Sequence, residues 1–213
     1  GSQSANNILM RSIFYMGIPV SGKNLFPSNI QGLPTWFSIR VNSDGWVARK
    51  DDVDLMVCMN ERSVVEDLKK LQAGDSLIIE ESLKSFVDRD DINVYVVPFE
   101  MLVKEVCPNA RLRRMVINLL YVGVIAHLIG IEEKVIIHAI QKQFSKKPAA
   151  AEINIEAVKF GLEWAKKNLK ISNSLLLEAT NKTEGKIIVD GNEAVALGLL
   201  YGGANVVAWY PIT

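Results

Sequence analysis

The residues best placed for chemistry lie at the two ends of the chain. Tyr210-Pro211-Ile212-Thr213 follows an extended run, Asn205 to Trp209. In parallel α/β sheets, ligands sit beyond the carboxyl ends of the strands, so Tyr210, Pro211, Ile212 and Thr213 mark a candidate ligand position. Asn192 lies upstream in Asp190-Gly191-Asn192, a turn that can also cap a helix. At the amino end, Gly1-Ser2-Gln3-Ser4 opens a helix, and such a turn can present backbone N–H groups to an anion. A plain capping turn is the simpler reading, because no strand precedes it. Lys23, Asn24, Asn29 and Gln31 are polar side chains of a long loop, Pro19 to Pro34. Arg111, Arg113 and Arg114 cluster at the start of a helix. They read as solvated or paired arginines ahead of an anion-binding edge.

Common catalytic patterns are absent. There is no Gly-x-Ser-x-Gly and no His-Glu-x-x-His. Gly22-Lys23 lacks the upstream glycine of a phosphate-binding loop and is followed by Asn24 rather than Ser or Thr. Cys58 and Cys107 are too few and too far apart for a cysteine-based zinc or iron–sulfur site. They read as reduced thiols of a cytoplasmic protein. His127 and His138 sit in helical patterns without a carboxylate or thiolate cluster, so a packing role is expected and no metal ligand is assigned.

The elements that must position these residues follow from periodicity. A helix is expected over 5–16, ended by Gly17. The loop 19–34 then feeds a β-hairpin, with Trp36 to Asn42 turning at Asn42-Ser43-Asp44-Gly45 and returning through Trp46-Val47-Ala48. Runs at 54–59, 76–80 and 93–97 read as buried strands, with a helix over 61–71 capped by Asn60. Strand, helix, strand at this spacing favours parallel pairing. Helices are expected over 99–106, 111–129, 132–144 and 149–169. A final strand–helix–strand pattern occupies 187–209.

Composition bounds the rest. With 213 residues, 49% hydrophobic and 23% charged, the chain has ordinary globular character. Zero formal net charge gives no general attraction to nucleic acid or an anionic membrane surface. The longest apolar stretch, 119–131, is shorter than a bilayer span. The domain reading is 1–172, a linker 173–185, and the beginning of a second domain over 186–213. A single α/β unit cannot bury its own faces, so the chain reads as a piece of a longer protein.

The closing stretch resembles the start of the pyrimidine-binding domain of 2-oxoacid:ferredoxin oxidoreductases, which depend on thiamine diphosphate. Gly191-Asn192-Glu193-Ala194 matches a Gly-Asn-x-Ala turn of that family, and Tyr210-Pro211-Ile212-Thr213 matches most of its Tyr-Pro-Ile-Thr-Pro. The first domain is similar to the family's gamma domain. Pro27-Ser28-Asn29-Ile30-Gln31-Gly32 matches a Pro-Ser-x-x-x-Gly segment, and Asp52-Val53-Asp54-Leu55 leads into a buried strand. Two departures stand out. Gln31-Gly32-Leu33 replaces Arg-Gly-Gly, and the amino-terminal glycine loop keeps only Gly1 and Gln3.

The resemblance implies an α/β fold: a Rossmann-like gamma domain with a mostly parallel sheet, a β-hairpin and a helical subdomain, followed by the start of a pyrimidine domain. It implies part of the larger (alpha) subunit, acting with a beta subunit in the cytoplasm. The reaction implied is oxidative decarboxylation of a 2-oxoacid, 2-oxoglutarate or pyruvate, to acyl-CoA and CO2, with ferredoxin reduced. Thiamine diphosphate, Mg2+ and a 4Fe-4S cluster would lie mainly on the partner, with coenzyme A as co-substrate. Thr213 would donate a hydrogen bond at the substrate and cofactor, beside Tyr210, Pro211, Ile212 and Asn192. Gln3, Lys23, Asn29 and Gln31 would supply polar contacts towards coenzyme A. Two other readings remain: a non-catalytic assembly domain of that complex, and an unrelated Rossmann-like nucleotide-binding protein.

Overall fold

A computed structural model describes residues 2–26, 34–48 and 50–208. Asn29, Gln31, Tyr210, Pro211, Ile212 and Thr213 lie outside the described residues. The chain separates into two units, Gly1–Thr183 and Glu184–Thr213.

The first unit is a mixed α/β fold. Its elements are α1 (Ser2–Tyr15), β1 (Val20–Leu25), β2 (Trp36–Val41), β3 (Leu55–Cys58), α2 (Val64–Leu68), β4 (Ser76–Glu80), β5 (Asn93–Val97), α3 (Phe99–Val106), α4 (Ala110–Ile129), α5 (Glu133–Gln143) and α6 (Pro148–Asn168). A 3-10 turn, Glu81–Phe86, follows β4. Strands β3, β4 and β5 form a parallel sheet in that order, with Cys58 opposite Ile79 and Ile79 opposite Val96. Alternation divides their side chains between two cores. Leu55, Val57, Ile78, Tyr95 and Val97 face the larger core, built on α1, α3, α4, α5 and α6. Met56, Cys58, Leu77, Ile79, Val94 and Val96 face a smaller one with Val64 and Leu68 of α2. Burial on both faces explains why these strands read as continuous apolar runs.

Three expectations need correction. The expected loop 19–34 contains β1, which pairs antiparallel with β2, Val20 opposite Val41 and Leu25 opposite Trp36. The hairpin partner of Trp36–Val41 therefore lies upstream, and residues 46–48 form no strand. The cause is local. Asn42 Oδ1 accepts from the N–H groups of Asp44 (2.9 Å) and Trp46 (3.4 Å), curling the chain away, while Asn42 N–H donates to Pro19 O at 3.2 Å. The helix expected over 61–71 shrinks to Val64–Leu68: Asn60 Oδ1 accepts from Arg62 N–H at 3.1 Å and Ser63 N–H donates to Asn60 O at 3.1 Å, so 60–63 form a turn ahead of the helix. Helix α1 begins at Ser2, so Gln3 is already helical.

Helix α4 is the axis of the larger core. Among the described helices it alone is long and apolar enough to cross a membrane. Its residues Leu119 to Ala126 are buried inside this unit, against α1, α3 and α6. Asn109 caps it, accepting from Arg111 N–H at 3.0 Å, and Gly130 ends it in the left-handed conformation, φ 78°.

The second unit is simpler. Helix α7 (Gly191–Tyr201) starts with a capping box: Asp190 Oδ1 accepts from Glu193 N–H at 2.8 Å, and Glu193 Oε2 accepts from Asp190 N–H at 3.2 Å. None of its residues is buried. The strands expected over 187–189 and 205–209 are not formed among the described residues of those segments. A strand needs a neighbour to take its backbone hydrogen bonds, and the described residues of this unit offer none.

Candidate functional site

Of the four residues expected to face coenzyme A, Gln3 and Lys23 are described. Gln3 is exposed on the first turn of α1. Side chains from two other helices hold that turn. Tyr121 Oη of α4 donates to Asn6 Oδ1 at 3.0 Å, and Gln143 Nε2 of α5 donates to Ser4 O at 3.0 Å. Burial pushes the Tyr121 phenol well above its ordinary pKa, so it serves as a neutral hydrogen-bond donor. Lys23 is exposed on β1. Asn192, in the second unit, is exposed at the second position of α7.

The hairpin that carries Lys23 has two unlike faces. Val20, Ile39 and Val41 pack on the larger core, and Gly22 leaves room there for Met10 and Phe37. Directly opposed residues in an antiparallel pair share a face. The pairs Ser21–Arg40, Lys23–Ser38 and Leu25–Trp36 therefore lie together on the other side.

Trp36 anchors one end of that face. Its indole N–H donates to Asp67 Oδ1 at 2.7 Å, and Lys70 Nζ stands 4.7 Å from the indole ring centre. Asp67 is buried, 3.8 Å from Lys70 Nζ and 3.8 Å from Cys58 Sγ. Burial, reinforced by the Asp67 carboxylate, pushes the Cys58 thiol up to about 12. Cys58 is consequently a protonated donor rather than a nucleophile. Sequence reasoning missed the Trp36–Asp67 pair.

Other expected features resolve into internal contacts. Arg113 donates from Nε to Cys107 O at 2.9 Å and from Nη2 to Pro108 O at 3.0 Å, satisfying carbonyls between α3 and α4. Asn118 donates to Arg114 O at 3.0 Å on its own helix. His138 packs edge-on against the Tyr15 ring, with centres 5.0 Å apart. His127 Nε2 lies 3.4 Å from Leu169 O and lines a cleft of about 340 Å³ with Leu162, Lys166 and Ile171. The charged groups on its rim pair with neighbours: Glu133 with Lys159 at 3.4 Å and Lys166 with Glu163 at 2.7 Å.

Among the described residues, no group of three His, Cys, Asp or Glu side chains is placed to hold a metal ion. Cys58 and Cys107 are buried in different cores. Two thiols in different cores do not fit a 4Fe-4S cluster, which takes four thiolates.

Comparison with known proteins follows the same outline. A family model described as pyruvate ferredoxin/flavodoxin oxidoreductase matches residues 1–164. The alpha subunit of 2-oxoacid:ferredoxin oxidoreductase 2 from Aeropyrum pernix is 23% identical over 253 residues, covering all of this chain and 39% of that protein. This chain thus spans about two fifths of the length of such relatives. A 2-oxoglutarate:ferredoxin oxidoreductase from Magnetococcus marinus, solved with 2-oxoglutarate, coenzyme A and succinyl-CoA bound, superposes with a TM-score of 0.75 at 21% identity, over 95% of this chain and 34% of that one. The gamma subunit of a keto/oxoacid ferredoxin oxidoreductase from Geobacter sulfurreducens gives 0.61 at 17% identity, over 78% of this chain and 94% of its own.

Proposed function

This chain belongs to the pyruvate ferredoxin/flavodoxin oxidoreductase family, and we propose that it is the amino-terminal part of the alpha subunit of a cytoplasmic 2-oxoacid:ferredoxin oxidoreductase. The observation that carries this reading is the pattern of coverage. A separate gamma subunit matches 78% of the chain, whereas a larger oxidoreductase chain matches 95%. A gamma domain over 1–172, a linker over 173–185 and the opening of a pyrimidine-binding domain over 186–213 account for the difference.

The proposed activity is oxidative decarboxylation of a 2-oxoacid, 2-oxoglutarate or pyruvate, to acyl-CoA and CO2 with reduction of ferredoxin. Thiamine diphosphate, when bound, supplies the decarboxylation chemistry. The proposal assigns thiamine diphosphate, its Mg2+ and a 4Fe-4S cluster mainly to a beta subunit, in keeping with only two cysteines in this chain. Asn192, Tyr210, Pro211, Ile212 and Thr213 are assigned to the cofactor edge, with the Thr213 hydroxyl as a hydrogen-bond donor to substrate. Gln3, Lys23, Asn29 and Gln31 are assigned to the coenzyme A side.

The test is co-purification of the full-length chain with its partner, followed by dye reduction. Turnover that requires both a 2-oxoacid and coenzyme A supports the reading. Tight NAD binding with no partner would sink it. In the active complex, Thr213→Ala should lower turnover by about a hundredfold, as for loss of one positioned donor. Unchanged turnover would remove that assignment and leave an assembly role for this part of the subunit.

A further inference from the structure

We infer that the segment 172–183 is a strap that locks the base of the β1–β2 hairpin, with Lys182 as the positioning residue. Lys182 bonds both legs of the hairpin. Its backbone N–H donates to Gly17 O at 2.9 Å, ahead of β1, and its Nζ donates to Ser43 O at 2.7 Å, beyond β2. The two legs also meet there, where Asn42 N–H donates to Pro19 O at 3.2 Å.

The strap can hold the hairpin because it is itself fixed on two helix ends. A helix leaves the carbonyls of its last turn without donors of its own. At the end of α4, Leu177 N–H donates to Ile129 O at 2.9 Å. Leu175 and Leu177 pack on the larger core, and Gly130 leaves room for Leu176. At the end of α1, Thr180 N–H donates to Met16 O at 2.8 Å, Thr180 Oγ1 to Gly17 O, and Thr183 Oγ1 to Phe14 O at 2.8 Å. Thr183 is buried. Lys182 therefore sits between two anchored threonines, which aim its ammonium. A charged donor on a carbonyl is stronger than a neutral one.

The hairpin needs a tie of this kind. It is a sheet of two strands, an arrangement that is marginal by itself. Val20, Ile39 and Val41 rest on the larger core, and the Trp36 indole on Asp67 holds the far end. Lys182 holds the base. Lys23 lies on β1 between these two holds. The consequence for activity rests on the function proposed above: Lys182 sets the affinity for coenzyme A through the hairpin, without touching the co-substrate.

The experiment uses the full-length complex with Lys182→Met, Lys182→Arg and Thr180→Val. Lys182 is exposed, so its substitution leaves the core intact, and exchange in β4 serves as the control. Hydrogen exchange over 20–25 and 36–41 should quicken about threefold or more in Lys182→Met and recover in Lys182→Arg, with β4 unchanged. Thr180→Val loosens the strap without removing the ammonium and should act in the same direction. KM for coenzyme A should rise about threefold or more in Lys182→Met, with kcat unchanged and with recovery in Lys182→Arg. Unchanged exchange of the hairpin in Lys182→Met overturns the lock, even if KM rises, because the effect would then be one of charge alone. Faster exchange with an unchanged KM overturns the positioning role. If the unaltered complex shows no coenzyme A-dependent turnover, the proposed function fails, and hydrogen exchange alone decides the lock.

Discussion

Gly123 of α4 and Gly161 of α6 sit where the two helices cross, and neither leaves room for a side chain. A Cβ on Gly123 would enter the space of Val158 O, and one on Gly161 would enter that of Leu120 O. The atoms in the way are backbone, so the helices themselves would have to separate. Alanine would gain up to about 1 kcal/mol of helix propensity at either site. Overpacking at about 1–3 kcal/mol or more outweighs that gain. Gly123→Ala and Gly161→Ala should each lower the melting temperature, by roughly 2–4 °C for every kcal/mol. Their effects should combine non-additively, because both relieve the same contact by the same separation. Calorimetric melting of the two single variants and the double variant checks this.

Gly17 should be equally intolerant, for a different reason. It takes φ 79°, and a Cβ there would meet the carbonyl of Thr180. This position joins the end of α1 to the segment 180–183. Thr180 N–H donates to Met16 O at 2.8 Å, Lys182 N–H to Gly17 O at 2.9 Å, and Thr183 Oγ1 to Phe14 O at 2.8 Å. Gly17→Ala should therefore release this segment ahead of the rest of the unit. Hydrogen exchange read by mass spectrometry should show lost protection over 180–183 while β4 remains protected.

These contacts show where the sequence was legible. Strands β3, β4 and β5 announced themselves because both faces are buried, so their central positions are apolar. Helix α4 did so through its length and its terminal Gly130. Strand β1 did not, because Gly22, Lys23 and Asn24 lie at its centre and carry the signature of a loop. Only the register with β2 makes a strand of it. Asn60 does accept from Arg62 N–H, as a cap would, yet 61–63 form a turn and the helix starts only at Val64, a delay that no pattern of residue types shows. The site divides in the same way. Trp36 and Asp67 are 31 residues apart, and no local periodicity pairs them.

The Cys58–Asp67 contact predicts an alkaline weakness. An unfolded thiol ionises near pH 8.5, whereas folding holds Cys58 protonated up to about 12. The folded chain thus binds more protons than the unfolded chain across that window. Stability from this group is complete below about pH 8.5 and declines as pH rises towards 12. Chemical denaturation at pH 7.5, 8.5 and 9.5 should show a steeper decline for the unaltered protein than for Cys58→Ala. Tyrosines begin to ionise in the upper part of this range, but they are common to both proteins and cancel in the comparison. Equal slopes would show that Asp67 and burial do not hold the thiol as described. Asp67→Asn should reduce the difference without removing it, because burial is the larger cause.

Glu80 gives a second pH test, with its effect at the acidic end. It is buried at the carboxyl end of β4, where Glu100 N–H donates to its Oε2 at 3.3 Å. Burial raises its pKa above the ordinary carboxylate range, opposed by backbone N–H groups including that of Glu100. A raised pKa means that the folded form holds the proton more tightly. Its contribution is therefore greatest below about pH 4.3 and is lost as pH rises through the raised value. Glu80→Gln keeps an oxygen to accept from Glu100 and carries no charge at any pH. The variant should accordingly gain stability relative to the unaltered protein between about pH 4 and pH 7, measured as the shift in urea midpoint at each pH. A relative loss over the same range would mean that the hydrogen bond from Glu100 outweighs desolvation, and that Glu80 is held as a carboxylate to cap α3.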